Sequence, residues 1–81
     1  MKLEVVTPSE KVFTGDVKLI TFPGTMGVFT ILPGHAPMIS TLKTGELYFE
    51  EENLNQHKFM VSGGVAEIKG NTVTVCINGV I

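Results

Sequence analysis

The sequence predicts an all-β fold, a small β-sandwich or flattened barrel of about eight to ten short strands without a helix. Three observations lead there. Apolar residues alternate with period two in most runs. Nine glycines and four prolines cut the 81 residues into short pieces. The one stretch long enough for an ordinary helix, residues 44–62, keeps the same alternation. A lone open sheet would leave one face and both edges bare, so the strands must stack or close. At this length a chain forms one domain, residues 1–81, with one core, burying about 60% of its unfolded surface.

The elements follow in order. Lys2 to Thr7 alternates with Leu3 and Val5 on one face, and Pro8-Ser9-Glu10 ends it. Lys11 to Thr14 reads as a brief strand closed by Gly15-Asp16. Val17 to Phe22 runs to the turn dipeptide Pro23-Gly24, with Val17 and Leu19 expected opposite Ile20 and Phe22. Gly27 begins a segment in which Phe29 and Ile31 oppose Val28 and Leu32. Pro33-Gly34-His35-Ala36-Pro37 then makes a stiff corner, because two prolines fix φ and remove donors while Gly34 is free to take a positive φ.

After the corner, Met38 to Leu42 is apolar on both sides, with Met38, Ser40 and Leu42 on a face expected to point outward and Ile39 and Thr41 opposite. Lys43-Thr44-Gly45 reads as a turn into Glu46 to Glu50, with Leu47 and Phe49 inward. Glu51 to Gln56 is the most polar stretch and reads as an exposed hairpin tip before His57 to Val61. Ser62-Gly63-Gly64 reads as a break, Val65 to Lys69 as a strand, and Gly70-Asn71 as a turn into the β-branched run Thr72 to Ile77.

Composition excludes several functions. The net charge is −2 and Lys and Arg never cluster, so there is no footprint for nucleic acid or for an anionic membrane. No apolar run approaches the roughly 18 residues of a membrane span, so no direct membrane insertion is expected. Cys76 is the single cysteine, which rules out an internal disulfide framework or thiolate metal site and fits a reducing compartment. Lying in an alternating strand with no basic neighbour, it is expected to be an unreactive, partly buried thiol. With 43% hydrophobic and 17% charged residues, the chain has apolar surface left over for a partner.

The search for chemistry returns no site. Ser40, His35 and Asp16 are the residue types of a nucleophilic triad, but no Gly-x-Ser-x-Gly elbow presents the serine. His35 and His57 lack the further ligands a zinc site needs, and Glu50 to Glu52 reads as a solvated run. Gly24 to Gly27 and Ser62-Gly63-Gly64 lack the Gly-Lys-Ser/Thr ending of a phosphate loop, and Gly63-Gly64 reads better as a close approach of another strand. No catalytic residue, cofactor or metal is therefore expected. Small β domains also serve as biotinyl or lipoyl carriers with a lysine at a hairpin tip, for which Lys43 and Lys69 are the alternatives here.

Gly27 through Pro37 resembles the glycine and Pro-Gly-His-Ala-Pro segment of the epsilon subunit of F-type ATP synthases, called delta in mitochondria. Leu3 to Pro8 with Val12-Phe13-Thr14-Gly15, Leu42-Lys43-x-Gly45, and Ser62 to Ile68 followed by Val73-Thr74-Val75 extend the resemblance in register over nearly the whole chain.

The resemblance implies a non-catalytic central-stalk subunit whose β-sandwich binds the gamma subunit and touches the c-ring, coupling proton transport to ATP synthesis. It implies a peripheral position on a membrane complex, at the cytoplasmic side of a bacterial plasma membrane ahead of organellar equivalents. By position, Thr25, Met26, Gly27 and Val28 correspond to the loop facing the c-ring. His35, Ala36, Pro37, Met38, Ser40 and Leu42 correspond to surface near gamma. Relatives often carry acidic residues in the ring-facing loop, where Met26 and Val28 imply apolar or backbone contact instead. Most relatives continue into a helical hairpin that restrains hydrolysis; the four residues after Ile77 form none of it, so assembly and coupling without hairpin-type inhibition are expected.

Overall fold

Six strands carry the chain in the computed structural model, which describes all of residues 1–81, and there is no helix. They are β1 (Lys2–Val6), β2 (Lys11–Gly24), β3 (Gly27–Ile31), β4 (Met38–Glu51), β5 (Gln56–Lys69) and β6 (Thr72–Ile77). The expectation of eight to ten short strands is corrected. Strands β2, β4 and β5 are each 14 residues long and run straight through Gly15-Asp16, Lys43-Thr44-Gly45 and Ser62-Gly63-Gly64.

The physical reason is that a glycine inside a strand can bend it, or admit a neighbour, without ending it. A Cβ placed on Gly45 would come within 2.7 Å of the Pro23 Cβ. Gly63 and Gly64 take φ of 108° and 149°, bending β5 where β6 and Asn78 crowd against it. Long bent strands of this kind can serve both layers of a small fold.

The hydrogen-bonded order is β1-β6-β5-β4-β2-β3, and β1 also pairs with β2. Five strands thus close into a barrel and β3 flanks β2. All pairings are antiparallel except β1 with β6, where Leu3 lies beside Val73 and Val5 beside Val75.

A cluster of 16 buried apolar residues fills the interior, including Leu3, Val5, Leu47, Phe49, Val73 and Val75 as the alternation predicts. The expected split of Val17 from Ile20 and Phe22 does not occur, since all three are fully buried. An irregularity between Val17 and Leu19 in the pairing with β4 shifts the phase, so an odd and two even positions reach one core. Phe49 anchors one end, its ring centroid 4.6 Å from Phe13 and 6.0 Å from Phe59. His57 stacks on it at 4.7 Å and holds Glu51 at 2.6 Å, a half-buried lid on the aromatic cluster.

Candidate functional site

The two most exposed large apolar side chains, Met26 and Val28, lie on the hairpin β2–β3, with Leu32 and Ile39 beyond it; Ile81 and Leu54 are exposed elsewhere, at the C-terminus and the β4–β5 turn. Gly24 and Gly27 face each other across the hairpin, with Thr25 and Met26 at its tip. A side chain at Gly24 would meet the Gly27 carbonyl and the Phe29 ring, so only glycine lets the strands come this close. The tip is tied back to β4: the Thr25 amide donates to the Thr41 carbonyl at 3.0 Å, and the two threonine hydroxyls lie 2.8 Å apart. Thr21 and Thr30 make a second hydroxyl pair at 2.9 Å. From this braced base Met26 projects 99% exposed and Val28 73% exposed.

Leu32 to Pro37 is exposed throughout. Gly34 takes the positive φ foreseen for the corner, 85°. The His35 amide donates to the Leu32 carbonyl at 3.2 Å, closing a turn. Its Nδ1 lies 2.7 Å from the Ala36 carbonyl, which can only accept, so Nδ1 carries the proton.

Beyond the corner, the expected faces of β4 are inverted. Leu42 is 5% exposed and belongs to the core, Met38 packs against that core, and Ser40 is half-buried. The exposed positions are Ile39 and Thr41. Register explains the inversion, because Met38 and Ser40 lie opposite Ile68 and Ala66, both buried, whereas Ile39 and Thr41 lie opposite Glu67 and Val65. Leu42 therefore presents no side chain to a partner. The alternation of Val65-Ala66-Glu67-Ile68 was the signal that could have fixed these faces, since Glu67 marks the solvated side of β5.

Sequence reasoning missed a second surface. Thr41, Val65, Cys76 and Val6 lie side by side across β4, β5, β6 and β1. The row is uncharged and spans about 14 Å at the usual strand spacing. Cys76 is exposed here instead of partly buried, because Val75 and Ile77 take the inward positions of β6. Of the two lysines of the carrier alternative, Lys43 lies inside β4, whereas Lys69 ends β5 at the Gly70-Asn71 turn, 3.7 Å from Glu67.

No group of three or more His, Cys, Asp or Glu side chains could hold a metal ion. A cleft of about 550 Å³ between Thr7–Glu10 and Asn78–Val80 contains a single ionisable side chain, Glu10. The two perturbed groups form a structural cluster: the Tyr48 hydroxyl donates to the Glu50 carboxylate, which also meets Lys18 at 3.3 Å.

That hydrogen bond is the main reason the Tyr48 hydroxyl is held above, and the Glu50 carboxyl below, its ordinary range. Glu50 therefore stabilises the fold fully above the ordinary carboxylate range, and this is lost as pH falls through its lowered value. Tyr48 contributes below its ordinary value near 10, and that is lost as pH rises through the raised one. Thermal midpoints should accordingly fall less between pH 6 and pH 3 in Tyr48→Phe than in the native chain. Parallel acid arms in the two proteins would show that the pair is not coupled.

The whole chain, residues 1–81, matches the family described as ATP synthase, Delta/Epsilon chain, beta-sandwich domain. It is 43% identical over 77 residues to the ATP synthase epsilon chain of Pelotomaculum thermopropionicum, covering 95% of this chain and 57% of that one. It is 40% identical over 81 residues to that of Wolinella succinogenes, covering 100% and 62%. The chain thus spans about 57–62% of the length of these relatives.

Among solved structures, a chain of the Euglena gracilis mitochondrial ATP synthase OSCP/F1/c-ring assembly superposes with a TM-score of 0.87 at 23% identity, over 98% of this chain and 51% of that one. A chain of the Tetrahymena thermophila mitochondrial ATP synthase central stalk/c-ring gives 0.82 at 20% identity, over 100% and 65%. At these identities the structural likeness establishes the fold. The family is established by the match over all 81 residues, and on that ground this chain belongs to the β-sandwich family of ATP synthase delta/epsilon chains.

Proposed function

We propose that the chain acts as a non-catalytic central-stalk subunit of an F-type ATP synthase, binding gamma and touching the c-ring so that proton flow and ATP synthesis stay coupled. It lies on the membrane complex as a peripheral part, on the cytoplasmic side in a bacterium. The observation that carries this reading is that exposed, uncharged surface runs over the hairpin tip, the corner and the outer side of β4, the segments to which the resemblance assigns partner contacts. The gamma side consists of His35, Ala36 and Pro37 with Ile39, continued by the row Thr41, Val65, Cys76 and Val6. Met38 and Ser40 support that side from beneath. The ring side is the hairpin tip Thr25, Met26, Gly27 and Val28. Large exposed apolar area is a liability on a free monomer and is explained if assembly covers it.

The test is direct. The chain mixed with the cognate gamma subunit should co-elute with it in size-exclusion chromatography. Added to a stalk complex depleted of this subunit, it should restore ATP-driven proton pumping. Separate elution together with unrestored pumping would show that the chain has another partner.

A further inference from the structure

We infer that Asn78 is a site of spontaneous covalent modification, at which the Gly79 amide nitrogen closes on the side-chain carboxamide and leaves an aspartyl or isoaspartyl residue in its place.

Asn78 and Gly79 follow β6 in an irregular bend and line the cleft of about 550 Å³ beside Thr7–Glu10, where Asn78 is exposed to water. The groups on either side of the reacting nitrogen are held. The Asn78 amide donates to the Gly63 carbonyl at 3.0 Å, and the Gly79 carbonyl accepts from the Ser62 amide at 3.0 Å and from its hydroxyl at 3.3 Å. The Gly79 amide between them donates no backbone hydrogen bond. Asn78 Nδ2 reaches only the Ser62 carbonyl, at a long 3.4 Å. Nucleophile and leaving group are thus both weakly engaged, and glycine has no Cβ to shield its nitrogen.

Base removes the Gly79 amide proton, and the nitrogen attacks Asn78 Cγ. The N–Cγ bond forms as the Cγ–Nδ2 bond breaks, and Nδ2 departs as ammonia, a step favoured because both partners belong to one chain. Solvent water then opens the cyclic imide at either carbonyl to give aspartate or isoaspartate, and nothing is oxidised or reduced. The other asparagines are poorer candidates. Asn53 precedes Leu54, whose amide is already donated to the Glu51 carbonyl at 2.9 Å. Asn55 and Asn71 precede Gln56 and Thr72, whose side chains crowd the nitrogen.

Either product withdraws the Nδ2 donor from the Ser62 carbonyl and adds a negative charge to a cleft whose one ionisable side chain is Glu10. Isoaspartate also lengthens the main chain by one carbon. It does so just ahead of the bridge in which Val80 pairs with Val61 and the Ile81 amide donates to the Met60 carbonyl at 2.9 Å. Residues 79–81 then no longer match the edge of β5.

The experiment holds the purified chain at 37 °C, at pH 6 and pH 8.5, and follows its peptides by mass spectrometry. A gain of about 1 Da should accumulate at Asn78 at least about tenfold faster than at Asn53, Asn55 or Asn71, and faster at the higher pH. Gly79→Ala should slow the gain by about tenfold or more, because a methyl group shields the nitrogen. That variant should melt like the native chain, since the added Cβ comes no nearer than 3.5 Å, to Ser62 Oγ. In the modified chain the Ser62 and Ile81 amides should exchange hydrogen faster than in the fresh one. Equal rates at all four asparagines, or a rate at Asn78 that Gly79→Ala leaves unchanged, overturn the site. Unaltered exchange in fully modified chain overturns its effect on the edge of β5.

Discussion

Replacing Gly64 by valine should leave no folded protein at room temperature. Gly64 takes φ of 149°, which a β-branched residue rarely adopts, and its missing Cβ would run into the Cys76 carbonyl oxygen and come within 2.8 Å of the Ile77 Cα. Both obstacles are backbone atoms of β6, so no side chain can swing aside. Strain of that kind added to a backbone collision exceeds about 5 kcal/mol, the exceptional end of single-residue effects. A domain of this size holds on the order of 5 kcal/mol in total, and little remains. Loss of the sheet signal in circular dichroism at 25 °C would register the outcome. Gly70→Val is the control, with a positive φ of 54° but open space around the position, and should cost only about 1–2 kcal/mol. Should Gly64→Val melt within a few degrees of the native chain, β5 and β6 do not approach as closely as described.

Leu42→Glu should unfold the chain, whereas Ile39→Glu should leave it folded and impair only its association with gamma. The two positions differ by three residues and by burial, 5% exposed against 68%. A glutamate at Leu42 loses the packing of a core leucine and sets a carboxylate among apolar neighbours with no cation to meet it. The combined cost is at least about 3–5 kcal/mol. At Ile39 the carboxylate stays in water until a partner arrives. Urea midpoints for both variants, followed by co-elution of the folded one with gamma, separate the two effects. A stable Leu42→Glu beside an unfolded Ile39→Glu would restore the original assignment of the faces.

That assignment shows where the sequence was legible. The β class, the positive φ at Gly34, the inward Leu47 and Phe49 and the exposed tip after Glu51 all follow from local chemistry, in which each residue type reports its own surroundings. Strand length did not, because Gly15, Gly45 and Gly63-Gly64 give the same local signal for a turn as for a bend inside a strand. Only the presence of Pro23, Asn78 and β6 beside them distinguishes the two. The faces of β4 were ambiguous for a related reason. Met38-Ile39-Ser40-Thr41-Leu42 is apolar on both sides, so its orientation is decided by β5, whose Ala66 and Ile68 claim the interior. The uncharged row from Thr41 to Val6 lay beyond reach, since it exists only once four strands are set in register.

The parallel pairing of β1 with β6 has a kinetic consequence. Val5 rests against Val75, and no segment between them can substitute for that partner, so the ring of strands cannot close until β6 has left the ribosome. Until then β1 pairs with β2 alone, at the edge of an open sheet. Closure waits on the most distant contact in the chain, and sheets dominated by such contacts fold in milliseconds to seconds, well behind helical proteins of equal size. During synthesis the edges of β1 and β5 that receive β6 are therefore held without their partner. Those two open edges are what a nascent chain must keep from other nascent chains until β6 arrives, which makes this protein a natural client for holding chaperones.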